Sequence, residues 1–242
     1  MLKERFYDAS ANLFERIRTS QKSNIEAAGQ IMADSVANGG CIHMFDTGHL
    51  IDSELLNRAG GLVLLRRFRY HPGVESSGWK RPMGDKNSSM EGLAEYALRH
   101  GNVLPGDIMV IGSVSGKTLN VIDLAVECKK MGVKVIGVTS VAYSQTLESG
   151  HSCGKRLFEL ADVTIDNCAP FGDAMLDIEG VEAPFIPASG IAAAYLCWAL
   201  CAEFVEKLMQ KGITPGILKS VNFPPNAEYN NVLYKRYNDE GI

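Results

Sequence analysis

Asp107-Ile-Met-Val-Ile-Gly112-Ser113-Val-Ser115-Gly116-Lys117-Thr118 runs from an apolar strand into a loop of hydroxyls and glycines. A helical stretch follows to Met131-Gly132, and then a second apolar run, Val133-Lys-Val-Ile-Gly-Val138-Thr139-Ser140. Small residues let the backbone approach a ligand closely. The first helical N–H groups lack internal partners, and the helix dipole adds partial positive charge at the same place, so the segment suits a bound phosphate. Apolar runs at about 41–46, 61–65, 107–112, 133–138 and 162–166 are separated mostly by helices of crossover length. This alternation predicts a five-stranded parallel sheet covered on both faces, a three-layer αβα sandwich of the α/β class.

Gly112-x-x-x-Gly116-Lys117-Thr118 looks like a nucleotide-binding P-loop, but that motif has four residues between its glycines where this chain has three. Thr164-Ile-Asp166 offers the magnesium-binding carboxylate such a reading needs, so an NTPase is kept as a remote alternative. Ser113, Ser115 and Thr118, with Thr139 and Ser140 closing the next strand, place hydroxyls at the carboxyl edge of the sheet, where open α/β sheets take ligands. Capping alone uses one or two such residues in a βα loop. Ser113, Ser115, Gly116, Lys117, Thr118, Thr139 and Ser140 are therefore the candidate substrate-binding set, with Lys117 as an electrostatic contact.

Ser113-x-Ser115-Gly116-x-Thr118 after an apolar strand, with Thr139-Ser140 closing the next, resembles the SIS (sugar isomerase) domain. Two further stretches agree: Phe45-Asp-Thr47-Gly48-His49 before Glu54-Leu-Leu-Asn-Arg58, and Ser220-Val-Asn222-Phe223-Pro through Asn230-Asn231 to Tyr237. Over about residues 30 to 240 the chain is similar to bacterial SIS proteins usually labelled phosphoheptose isomerases. In one respect it departs from them: many SIS domains have Gly-x-Gly-x-Ser in the first loop, where this chain has Asp46 and Leu50 at the outer positions. The resemblance implies a flavodoxin-like SIS fold and a sugar-phosphate ligand touched by Thr47, Gly48 and His49 as well as by the serine loop. It implies an aldose–ketose isomerase working through an enediol, and a homodimer or homotetramer. The alternatives are an amino-sugar phosphate lyase or etherase and a non-catalytic phosphosugar sensor.

An isomerase needs a base to move a carbon-bound proton and a second group to manage protons on oxygen. Glu54, on the helix leaving the first loop, is the candidate base; its other reading is an (i, i+4) pair with Arg58. His71, in a long insertion over residues 66–90, is the second candidate. Insertions of that length inside an α/β domain are functional or disordered. Ser88-x-x-Glu91 reads as the cap of the following helix, His43 as a satisfied core residue, and His100 before Gly101 as a helix end.

The 242 residues carry 46% apolar and 21% charged side chains, ordinary globular usage. A net charge of −4 argues against nucleic acid as a partner. The amino terminus is charged and resembles no signal peptide, and the longest apolar run, Ile191 to Ala202, is too short to span a bilayer, so a cytoplasmic location without membrane contact is expected. Six cysteines without a CxxC pair read as reduced and mostly buried. His151-x-Cys153 is a weak metal pair, and neither metal nor cofactor is expected.

Leu2, Phe6, Ala9, Leu13 and Ile17 predict an amphipathic first helix, and Ser23-x-x-Glu26 a capping box for a second, ended by Asn38-Gly39-Gly40. The whole chain, 1–242, reads as one SIS domain: a helical extension over 1–40 packed on the sheet, an αβα core over 41–211 and a tail over 212–242. The stretch 191–202 is apolar on every face and calls for a cover on every side, which a second copy of the chain would supply.

Overall fold

The computed structural model describes residues 1–48, 54–71, 73, 75, 77–79 and 89–242. His49, Leu50 and Ser88, each given a role above, lie outside the described residues. The chain opens with two helices, α1 (Leu2–Ser20) and α2 (Lys22–Ala37), followed by strands β1 (Ile42–Asp46) and β2 (Leu65–Arg67). Helix α3 (Leu93–His100), strand β3 (Ile108–Gly112), helix α4 (Leu119–Lys130) and strand β4 (Lys134–Thr139) come next. Short helices α5 (Val141–Ser144) and α6 (Leu157–Leu160) lead to β5 (Val163–Asp166). A small antiparallel pair, β6 (Ala174–Leu176) and β7 (Phe185–Pro187), precedes the long helix α7 (Ser189–Gln210) and the final helix α8 (Pro225–Glu240).

The five main strands are parallel in the order β2-β1-β3-β4-β5. Successive side chains alternate between two cores, as a strand's period of two requires. Ile42, Met44, Ile108, Val110, Ile136 and Val138 face α1, α2 and α7, while Phe45, Met109, Ile111 and Val135 face α3, α4 and α6. That two-sided burial is why these strands read as continuous apolar runs.

Three expectations need correction. The apolar run at 61–65 is not the strand: β2 begins at Leu65, and Leu62–Leu64 are buried by turns and by a single bridge from Leu62 to Ile217. Burial from several sides makes a turn as apolar as a strand, and hydropathy alone does not separate them. The Ser23–Glu26 capping box is absent, because α2 begins at Lys22. Gln21 makes the junction instead; its buried side-chain carbonyl accepts from Asn24 Nδ2 at 3.0 Å and from the Asp166 N–H at 2.9 Å. Finally, the chain's own helices cover much of α7, although Tyr195 and Ala202 stay exposed, so the helix is not buried on every side. Its Leu196, Leu200 and Phe204 lie in the core, Tyr195 stacks on Phe14 of α1 at 4.6 Å, and α2 runs so close that a Cβ on Gly29 would stand 2.7 Å from Glu203 Cγ. The helices α1 and α2 thus supply much of the cover expected from a second copy of the chain.

Leu196 is fully buried under α1 and α2. Leu196→Ala is expected to lower unfolding free energy by about 2–5 kcal/mol in a denaturant titration. A loss below about 0.5 kcal/mol, within the range of surface changes, would mean that Leu196 is not packed inside the chain.

Candidate functional site

The strand order places β1 between β2 and β3, so the chain leaves β1 toward one side of the sheet and leaves β3 toward the other. The crevice outside the carboxyl ends of two such strands is the ligand position of an open α/β sheet. Thr47 and Gly48 leave β1 there, and Ser113 to Thr118 leave β3. The Thr47 N–H and hydroxyl both donate to the Gly112 carbonyl, at 3.3 and 3.2 Å, and Asp46 Oδ1 accepts from the Gly48 N–H at 3.1 Å.

The serine loop is fixed from beneath. Ser113 is buried; its N–H donates to Val138 O and its hydroxyl accepts from the Gly116 N–H at 3.3 Å. Thr139 and Ser140 are wholly buried. Thr139 Oγ1 donates to Val114 O at 3.0 Å, and Ser140 Oγ donates to Ala169 O at 2.8 Å while accepting from the Tyr143 N–H. These three hydroxyls hold the loop's shape from inside the fold, so of the five proposed above only those of Ser115 and Thr118 stay open. Gly116 takes a left-handed turn, φ +55°, and an added Cβ would lie 2.9 Å from Thr139 Oγ1. From the far side, Gly150 N–H donates to Lys117 O at 2.8 Å and Leu157 N–H to Gly116 O at 2.8 Å.

What the loop leaves free faces outward. Thr118 precedes α4 without a side-chain cap bond. Among the described residues, the hydroxyls of Ser115 and Thr118 and the N–H groups of Ser115, Lys117, Thr118 and Leu119 have no hydrogen-bond partner. An uncapped first turn with its dipole directed outward attracts an anion.

A cavity of about 270 Å³ borders this turn, lined by Phe45 of β1, Leu119 and Asn120 of α4, Tyr70, His71 and Asp123. Asp123 is almost fully buried and holds the start of α3, accepting from Gly92 N–H at 2.7 Å and Ala94 N–H at 2.9 Å. Burial, with Asp123 nearby, pushes the Tyr70 phenol up to about 12. His151 lies behind Asp123, with its Nε2 3.6 Å from Asp123 Oδ1 and its Nδ1 3.9 Å from Glu91 Oε1. Because His151 Nδ1 accepts from the Cys153 N–H at 3.0 Å, the ring proton is assigned to Nε2, toward Asp123. Glu91 does not cap α3; its carboxylate receives the Ser152 N–H at 2.7 Å and hydroxyl at 2.6 Å, and these bonds lower its pKa.

The two candidate proton-transfer groups fall on different sides of β1. His71 lines the cavity on the α4 side. Glu54 is held near α7, with Arg58 Nη1 2.6 Å from its Oε2 and Trp198 Nε1 donating to its Oε1 at 3.3 Å. His43 is satisfied by Asp107, as a core histidine should be. Asp166 Oδ1 receives the Val141 and Cys168 N–H groups, and β4 separates its strand from the loop, so it is not placed as a P-loop's magnesium partner. Sequence reading passed over Asp123. Its one available signal is a lone acid in the apolar run Val121-Ile122-Asp123-Leu124-Ala125, since acids are seldom fully buried without partners.

Residues 5–140 match the family model for the SIS domain. The chain is 36% identical over 236 residues to a UPF0309 protein of Streptomyces griseus, covering 97% of this chain and 94% of that protein. It is 34% identical over 236 residues to a UPF0309 protein of Listeria monocytogenes, covering 97% and 96%. Its fold matches that of a phosphoheptose isomerase from Neisseria gonorrhoeae at a TM-score of 0.54 and 16% identity, over 84% of this chain and 97% of the other. The chain belongs to the SIS domain family, and the matched region includes the N-terminal helices.

Gly116 combines a left-handed backbone with a filled space beside its Cα. Gly116→Ala should reduce stability by about 1–3 kcal/mol, read by urea unfolding. A neutral effect would show that the loop does not hold this turn.

Proposed function

We propose that this SIS-domain chain binds a sugar phosphate in the crevice between β1 and β3 and interconverts its aldose and ketose forms, as a phosphoheptose isomerase does, through an enediol. The reading rests on one observation: the uncapped turn at Ser115–Leu119, with two free hydroxyls, opens beside a cavity lined by His71. Ser115, Gly116, Lys117 and Thr118 hold the phosphate, through N–H groups, hydroxyls and the lysine charge. Ser113, Thr139 and Ser140 keep the loop in shape beneath it. Thr47 and Gly48 border the sugar from the β1 side, and His49, outside the described residues, is the third contact implied by the resemblance.

The phosphate anchors the substrate so that its C1–C2 end reaches the proton-transfer groups. Binding energy from a remote, non-reacting group is what positions a small substrate for a slow proton transfer. Glu54 is taken as the base for the carbon-bound proton on the family resemblance, with Arg58 and Trp198 orienting its carboxylate, while Asp123 is committed to the start of α3. His71 exchanges protons with the sugar oxygens, and Tyr70, kept neutral, donates no charge to the cavity. An amino-sugar phosphate lyase or etherase, or a sensor, would use the same anion site and differ in the chemistry at the other end of the sugar. The functional chain would work on a small metabolite without nucleic acid; among the described residues no helix is long and apolar enough to cross a membrane.

Isothermal titration with a panel of aldose and ketose phosphates tests the anion site. Ser115→Ala and Thr118→Val are each expected to weaken binding by about 1–3 kcal/mol, the range for hydrogen bonds to a charged group. Unchanged affinity in the double variant would remove the site. Proton NMR in D2O then separates the chemistries. Deuterium entering at C1 or C2 with interconversion marks the isomerase, and its loss in Glu54→Gln places the base. Binding without exchange marks a sensor, and release of a carboxylic acid an etherase.

A further inference from the structure

The opposite, amino edge of the sheet carries a second cluster of donors. β1 and β3 pair in register, Ile42 with Ile108 and His43 with Met109, so the residues at their starts stand side by side. Strand parity turns His43 and Asp107 away from the core that holds Ile42 and Ile108. Cys41 Sγ, a ring nitrogen of His43 and a carboxylate oxygen of Asp107 all lie within 4.8 Å of one another. His43 and Asp107 are buried, at 8% and 3% exposure, whereas Cys41 is only half-buried and leaves the cluster open on one side.

We propose that Cys41, His43 and Asp107 form a zinc site. Thiolate, imidazole and carboxylate are the three protein donor types zinc accepts, at roughly 2.0–2.3 Å. Tetrahedral geometry at those bond lengths sets the donors about 3.3–3.6 Å apart, so the widest pair must close by at most about 1.5 Å and the His43–Asp107 pair, now 2.9 Å apart, must open slightly. A soft thiolate beside a single carboxylate selects zinc over magnesium or calcium, which want several oxygens. The surroundings resemble the outer shell of a metal site, where N–H groups orient a ligating carboxylate. Asp107 Oδ1 receives the Cys41 N–H at 2.8 Å, and Oδ2 receives the Leu104 N–H at 2.9 Å together with His43 Nε2 at 2.9 Å. On zinc binding the metal replaces the His43–Asp107 hydrogen bond, and the Cys41 thiol loses its proton to solvent.

Three protein ligands leave a fourth coordination position. The Tyr237 hydroxyl of α8 stands 3.7 Å from Cys41 Sγ, with the Arg66 guanidinium over the Tyr237 ring at 4.7 Å. The ion would thus join the starts of β1 and β3 to the last helix. It lies about one strand length, roughly 15 Å, from the serine loop, and it has a structural role without any part in the sugar chemistry.

The whole chain, stripped with a chelator, is titrated with Zn²⁺ against a chromophoric competitor and separately loaded with Co²⁺. One equivalent of zinc bound tightly, and a cobalt spectrum with a thiolate charge-transfer band in the near ultraviolet, are the expected results. Cys41→Ser should abolish the band and weaken zinc by more than the roughly 10- to 100-fold that loss of an outer partner costs, and Cys153→Ser should change neither. Absence of stoichiometric binding at micromolar zinc, a cobalt spectrum without the thiolate band, or binding that survives Cys41→Ser would each overturn the site. Circular dichroism reports whether Cys41→Ser is folded, and if it is not, the wild-type cobalt spectrum decides.

Discussion

The carbonyl of Val114 takes two hydrogen bonds from the end of β4, one from Thr139 Oγ1 at 3.0 Å and one from the Ser140 N–H at 3.1 Å. Everything at the carboxyl edge depends on this junction. It draws the loop after β3 over the next strand, so that Gly116 must turn left-handed and the N–H groups that follow point outward at the start of α4. A buried carbonyl with two partners is hard to release, because each lost bond leaves a polar group without water. The binding loop is therefore rigid where it meets the sheet and free where it meets solvent, a division that suits repeated loading of a charged ligand.

The cavity beside that loop depends on a different economy of charge. Asp123 is a buried carboxylate whose oxygens receive two backbone N–H groups, and His151 stands behind it with its ring proton turned the same way. A carboxylate so supplied stays inside the protein without an ion pair at hydrogen-bond distance. Glu91 and Ser152 then tie the entry of α3 to the loop over residues 149–155, and Gly150 ties that loop to Lys117. The lining of the cavity and the anion loop are thus one connected network.

Much of this was legible in the sequence, because the strands β1, β3 and β4 are buried on both faces and their apolar runs end in loops of small residues. The serine loop was legible for the same reason: its residue types are dictated by backbone geometry close to the chain itself. β2 was misplaced because Leu62–Leu64 are buried by turns, and hydropathy does not report which structure does the burying. The start of α2 was misplaced because Gln21 is satisfied by Asp166, 145 residues away, and no local pattern encodes that partner. Glu91 was read as a cap, His151 as half of a metal pair and Asp123 not at all for the same reason, since their meaning lies in contacts between segments. Of the five hydroxyls around the loop, the sequence showed their number but not which three face inward.

The close passage of α2 over α7, where Gly29 admits Glu203, also bears on how the protein is made. The first two helices leave the ribosome well before the helix that will cover them. At ~5–20 residues per second, the roughly 170 residues between Gly29 and Glu203 take about 10 to 35 s to synthesise. During that interval Leu13, Ile17, Met32 and Val36 have no α7 to pack against, and the nascent chain presents an apolar stripe to the cytosol or to whatever chaperone attends it. The domain can close only after most of it has been translated, so a ribosome stalled anywhere between β3 and α7 would hold a chain whose α1 and α2 still lack the helix that packs on them.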